Sequence, residues 1–272
     1  MIERKKRFSE ILTEAVNDFA DHGYDNADRL EYWLDLLREA ATAEMLSFRE
    51  TERRIERALS KIYERHFDRI RLAKYHRGIN QSAITGLSGA ARRFLDQRIY
   101  ASAELIRLNR QTAIETVLKR ASGYLTSIPP GGGNVRDERK ARSHIAKPLA
   151  QQTFEERRVT IDQGHKLISN IDQTIAEENA AIAMKWRHVH QRGYNGRPEH
   201  IERDGEIFVL RGNWALSGGL MKRAGHKYLD EIDAPGEAVF CRCWGEYIYH
   251  LRDLPDGMVT KKGERTFFKI AA

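Results

Sequence analysis

Apolar residues recur every three to four positions through most of the first 180 residues, and that spacing is lost after Trp186. Such a period marks amphipathic helices. It predicts helices over 8–21 and 28–45, joined by a turn at His22-Gly23-Tyr24-Asp25-Asn26, with Asp28 as N-cap and Leu30, Trp33, Leu34, Leu37 and Ala41 on the buried stripe. A longer helix is predicted over about 47–75, striped by Ile55, Leu59, Ile62, Tyr63, Phe67 and Ile70. Gly78, Asn80, Gly86 and Gly89 interrupt the pattern before a helix over about 90–125. Ile128-Pro129-Pro130-Gly131-Gly132-Gly133-Asn134 cannot continue a helix, because proline lacks the amide proton and glycine loses too much entropy.

Helical spacing returns over 150–186, with Val159, Leu167, Ile171, Ile175, Ala180 and Met184. Beyond Trp186 glycine and proline become frequent, and short β-like runs stand at Ile207–Leu210, Ala238–Leu251 and Thr266–Ile270. The expected fold class is therefore α+β, a mainly helical N-terminal region with a small C-terminal α+β module. The expected division is a helical region 1–127, a linker 128–149 and a module 150–272.

Charge sharpens this picture. The chain carries +7 overall, but residues 1–50 carry −5, residues 51–100 carry +7, residues 101–150 carry +5, and the remainder is neutral. A concentrated positive excess argues for an anionic partner rather than for a fold. Candidate binding residues for nucleic acid or an acidic protein surface are Arg53, Arg54, Arg57, Lys61, Arg65, Arg69, Arg71, Lys74 and Arg77. Nearby aromatics keep core-like spacing, so contact with phosphates is expected without base stacking. No run of roughly 18 apolar residues exists, so no membrane span is expected. The basic start has no apolar segment behind it and does not resemble a secretory signal.

The candidate chemistry is concentrated near the end. Asp233-Ala234-Pro235-Gly236 leads into Cys241-Arg242-Cys243, which holds both cysteines of the chain. Upstream stand Trp186, His188, His190, His200 and Asp204-Gly205-Glu206-Ile207-Phe208. Cysteines at i and i+2 of an extended segment share a face, which does not suit a bridge between them. Thiolates and imidazoles are the preferred donors for zinc, so His200, Cys241 and Cys243 with His226 or His190 form a candidate metal set. Their C-x-C spacing is shorter than the usual two to four residues between zinc cysteines. Otherwise no cofactor is expected, and both cysteines serve as small apolar core residues. His200-Ile201-Glu202 matches the first half of a zinc-deaminase signature, but the required P-C-x-x-C is absent. No P-loop, G-x-S-x-G or dinucleotide fingerprint is present.

The order of these features resembles the C-terminal module of the phage Mu F-like head morphogenesis family, the minor head proteins of tailed phages. Trp186, His200, Asp204, Gly205, Cys241, Arg242 and Cys243 carry the resemblance, which spans about residues 150–250. Arg187 and His188 stand where the family pattern often has an acidic residue and an arginine. The resemblance implies a structural, non-enzymatic virion protein with no catalytic residues. It would sit in the head interior near the portal vertex, after assembly in the host cytoplasm. The implied partners are the portal protein, packaged double-stranded DNA, and scaffold or major capsid protein, with a role in DNA ejection and none at a membrane. The rival class is a metal-dependent nuclease or toxin-like enzyme using His200 and Cys241/Cys243. Only 28 residues follow Trp244, so no added catalytic domain is expected there.

Overall fold

The computed structural model describes residues 6–67, 69–80, 82, 86–133 and 138–270, with residues 69–71, 88 and 267–270 entering as backbone alone. Among the described residues seven helices come first: α1 Phe8–His22, α2 Ala27–Ala43, α3 Phe48–His66, α4 Arg69–Tyr75, α5 Ser88–Leu125, α6 Glu138–Ala150 and α7 Gln152–Glu178. The remainder is β1 Ala183–Arg187, α8 Pro198–Glu202, β2 Ile207–Val209, α9 Trp214–Ser217, β3 Lys227–Tyr228, β4 Trp244–Ile248 and α10 Lys261–Ile270. The protein is thus mainly helical, with a small four-stranded mixed sheet near its C-terminus. No helix among the described residues is long and apolar enough to cross a membrane.

Two compact units form, and their borders do not follow the linker expected at 128–149. One is Met1–Arg54 with Ala101–Val159, the other Ile55–Tyr100 with Thr160–Ala272. The expected linker contains α6, whose Ile145 is buried. Its Pro-Pro-Gly-Gly-Gly stretch is docked on the end of α1. The amides of Gly131 and Gly133 donate to the carbonyls of His22 and Ala20 at 2.9 and 3.1 Å. Those carbonyls lack partners within the helix, so the loop satisfies them.

In the first unit, Phe8, Leu12, Val16 and Phe19 of α1 pack on Leu37 and Ala41 of α2 and on Val117, Ala121 and Leu125 of α5. The stripe predicted from spacing is the buried one. The N-cap of α2 is Asn26 rather than Asp28. Asn26 Oδ1 accepts the Arg29 amide at 2.8 Å, while Asp28 sits inside the first turn.

In the second unit the sheet order is β3-β2-β1-β4. β1 pairs antiparallel with β2 and with β4, and β2 pairs parallel with β3. Alternate residues of β1 enter two cores. Ala183 faces Val209, Leu216, Met221 and Ile248, whereas Met184 and Trp186 face Phe208, Cys241 and Tyr247. Met184 and Trp186 alternate with Lys185 and Arg187 along β1, but five residues are too few to break the helical reading of 150–186, whereas α7 ends at Glu178 and Trp186 lies on β1. The helix stop carries no glycine signal either. Ala180 takes φ +55°, and the Ala181 amide closes back on the Ala176 carbonyl.

Two further expectations are corrected. The run Ala238–Leu251 is strand only over Trp244–Ile248, because Phe240 turns the chain with φ +59°. Thr266–Ile270 belongs to α10, where Thr260 Oγ1 accepts the Gly263 amide at 3.1 Å and starts a helix. The helix expected over 47–75 is divided between α3 and α4. His66 at the end of α3 and His76 just past α4 both reach Asp172 of α7, at 2.7 and 3.0 Å. All three are buried, and Tyr249 Oη lies 2.6 Å from His76 Nδ1. An ionised carboxylate only accepts, so both imidazole Nε2 atoms donate to it.

Burial pushes the Asp172 carboxyl up, but the charges and hydrogen bonds of His66 and His76 outweigh it and hold the group below its ordinary value of 3.8. A depressed carboxylate stabilises the fold above its unfolded pKa and loses that contribution as pH falls through the folded one. Asp172→Ala is expected to cost about 3 kcal/mol near neutral pH. The difference from wild type should shrink as pH drops below about 4, read by denaturant unfolding across pH.

Candidate metal centre in the C-terminal module

Three short segments converge beside Trp186, which is fully buried at the end of β1. The first is the Asp204-Gly205 turn. The Gly205 amide donates to the Trp186 carbonyl at 2.9 Å, and the Trp186 amide donates to Glu206 O at 2.8 Å. The second is α8, begun by Pro198, which places His200 with 1% exposure against the tryptophan at a ring separation of 5.2 Å. The third runs from Asp233 to Cys243.

Gly236 shapes the third segment. Its φ of +83° is costly for any side chain, and a Cβ would stand 3.1 Å from Ser169 Cβ. Ser169 Oγ donates to the Pro235 carbonyl and fixes this turn on α7. The Gly236 amide then points to Cys241 Sγ at 3.4 Å. Phe240 adopts positive φ while its amide donates to Asp162 Oδ1 at 2.6 Å. Past that bend, Cys241 and Cys243 point inward and are buried, and Arg242 points outward over the Tyr194 ring. The two cysteines share a side, as the i, i+2 spacing requires, and both are free thiols.

His200 Nδ1 lies 3.4 Å from Cys241 Sγ and 3.7 Å from Cys243 Sγ. Its other nitrogen, Nε2, meets Asp233 Oδ2 at 2.9 Å, and Asp233 Oδ1 accepts from Arg203 at 2.6 Å. Burial raises the Asp233 carboxyl, but Arg203 and His200 outweigh it and hold it below its ordinary value. Nε2 is thus turned to the carboxylate and Nδ1 to the sulfurs. His188 approaches from the other side, with Nδ1 3.5 Å from Cys243 Sγ. Its amide donates to Asp204 Oδ1 at 2.9 Å, and its ring stacks on Tyr194.

The hydrogen bond from Cys243 brings the Cys241 thiol down to about 5, with the Gly236 and Cys243 amides and His200 adding to it. That same bond, burial and the Cys241 charge push the Cys243 thiol up. A buried thiolate beside an unprotonated imidazole nitrogen is a soft donor group suited to a transition metal.

The resemblance residues Trp186, His200, Asp204, Gly205, Cys241, Arg242 and Cys243 therefore gather in one place. The metal set read from sequence is corrected at one position. His226 lies just before β3, at the opposite edge of the sheet from β4, and is not part of the group. His190 is exposed and bonds to Asp204 Oδ2 at 2.8 Å. His188 is the histidine that reaches the sulfurs. Its signal was its place two residues after Trp186, one residue past the strand that pairs with the segment entered by Cys243.

The basic candidates Arg53, Arg54, Arg57, Lys61, Arg65, Lys74 and Arg77 are all exposed. Lys74 stands 4.1 Å over the Trp244 ring, and Arg77 lies 3.8 Å from Glu246. The side chains of Arg69 and Arg71 lie outside the described residues.

The tight approach of Gly196 tests this geometry. A Cβ there would stand 2.2 Å from His188 Cε1 and 2.8 Å from Nε2. Gly196→Ala is expected to displace the His188 ring and cost about 1–3 kcal/mol, measured by thermal unfolding. Gly193→Ala meets nothing within 4 Å, so any loss there reports its φ of +80° alone.

Comparison of the chain with family models, curated proteins and solved structures finds no match among any of them.

Proposed function

We propose that the protein is a structural, non-enzymatic minor head protein of a tailed phage. In this reading it associates with the portal during head assembly and remains in the head interior with the packaged DNA. One observation supports it above the rest. Trp186, His200, Asp204, Gly205, Cys241, Arg242 and Cys243 come from separate parts of the sequence and assemble in one place, with Trp186, His200, Cys241 and Cys243 buried at its centre and the Asp204-Gly205 turn and Arg242 on its outer side. Residues that pack together as a folding unit are what a structural motif requires. The sulfurs and His200 are nearly inaccessible, which suits a supporting role better than turnover of a substrate.

The physical work of such a protein is binding. The exposed cations Arg53, Arg54, Arg57, Lys61 and Arg65 suit phosphate backbones, to which they would bind without reading sequence. Portal, scaffold and major capsid protein are the protein partners this reading calls for.

Quantitative mass spectrometry of purified phage particles tests the assignment. The chain should be present in full heads at a few to about a dozen copies, the stoichiometry a ring sets. Its absence from particles would overturn the virion role and bring forward a metal-dependent nuclease using His200 and Cys241/Cys243. DNA affinity measured against salt tests the basic surface. Replacing Arg53, Arg54 and Arg57 with glutamine should flatten the log–log slope by about 0.9 for each phosphate left without its arginine. An unchanged slope would remove these residues from the interface.

A further inference from the structure

We propose that Cys241, Cys243, His200 and His188 bind a single zinc ion as a closed structural site, with Asp233 as the outer carboxylate that orients His200. This inference stands apart from the virion assignment, since it concerns what holds the module together wherever the protein acts.

The distances carry it. Zinc–sulfur bonds of about 2.3 Å and zinc–nitrogen bonds of about 2.0–2.1 Å, set at the tetrahedral angle, place sulfur and nitrogen donors about 3.6 Å apart. Three of the four sulfur–nitrogen separations are 3.4, 3.5 and 3.7 Å, and His188 reaches the group through Cys243, standing outside the three donors that are all mutually close. The donor atoms of His200, Cys241 and Cys243 all lie within 4.8 Å of one another. His188 closes on the group from the Cys243 side. Two thiolates with two imidazoles form one of the common zinc sets, and four protein ligands leave no position for substrate.

The surroundings match that use. A metal-bound histidine commonly gives its remaining N–H to a carboxylate, which fixes the ring and raises its basicity. His200 does this to Asp233. The indole N–H of Trp186 is buried with no hydrogen-bond partner among the described residues, in the same cluster as Cys243. An orphan donor beside a sulfur is satisfied when that sulfur carries charge. The short C-x-C spacing is accommodated by the Phe240 bend, which lets both sulfurs face inward with Arg242 between them facing out.

An ion here would tie β1, α8 and the approach to β4 into one unit. Binding would take both sulfurs as thiolates, and its free energy would count as folding free energy.

Cobalt titration of the full-length protein, after removal of metal with a chelator, is the test, with zinc competition and metal analysis of the untreated protein. Wild type should hold one equivalent of zinc and show a tetrahedral cobalt–thiolate spectrum. Cys241→Ser and Cys243→Ser should each abolish that spectrum. Asp233→Asn should weaken zinc by roughly 10–100-fold with the spectrum kept. His188→Ala should weaken binding and shift the spectrum, and His226→Ala should change neither. Because the cysteine variants can fail to fold, alkylation of wild type provides a second measure. Both thiols should be protected by zinc and exposed by chelator. Absence of a cobalt spectrum in wild type, or alkylation indifferent to zinc, would overturn the site. Binding by His188→Ala equal to wild type would overturn its closed, four-ligand form.

Discussion

The imidazole of His200 ties the C-terminal module together through both of its nitrogens. One nitrogen is fixed by Asp233, which is itself held by Arg203, and the other faces Cys241 and Cys243. Asp233, Cys241 and Cys243 lie on one segment and His200 and Arg203 on another, so local preference in neither segment could bring them together. A buried polar group must be satisfied or it costs the fold dearly, and here satisfaction requires all the segments at once. The Arg203 guanidinium also lies 5.1 Å from the centre of the Trp186 ring, joining the charged pair to the apolar core. The loops from 188 to 206 and from 233 to 243 gain a defined course from this one side chain.

The same logic recurs at Asp172. A carboxylate in the interior draws in His66 and His76 from either side of the break between α3 and α4. Tyr247 stacks on His76 at 5.3 Å, so the network also touches β4. Helix and sheet in the second unit are thus joined by directed bonds as well as by apolar contact. A pair of this kind specifies an arrangement more than it strengthens one, because the cost of burying charge offsets much of the attraction.

Charge is distributed differently. Arg53, Arg54, Arg57, Lys61 and Arg65 of α3 stand at the surface, where an ion pair contributes little. They do little to choose the fold. Their meaning lies in the field they set up for a partner, which is why they support a functional proposal and not an architectural one.

Helical spacing alone located α1, α2, α5 and most of α3, because each buries one stripe and leaves the other faces to water. Composition and order alone also singled out Trp186, His200, Asp204-Gly205 and the two cysteines. Other features depended on residues far apart in the chain. β1 is held as a strand by pairing with β2 and β4, and its five residues are too few for their alternation to stand out from the helical spacing before them. The Pro-Pro-Gly-Gly-Gly stretch reads as a free linker until the end of α1 supplies carbonyls for its amides. His188 and His226 are equivalent donors by residue type, and only the sheet order, with β4 beside β1 and β3 at the far edge, decides between them. Local periodicity follows from which face of an element meets water, and the sequence holds that directly. The meeting of distant donors follows from strand pairing and loop course, which no single segment determines.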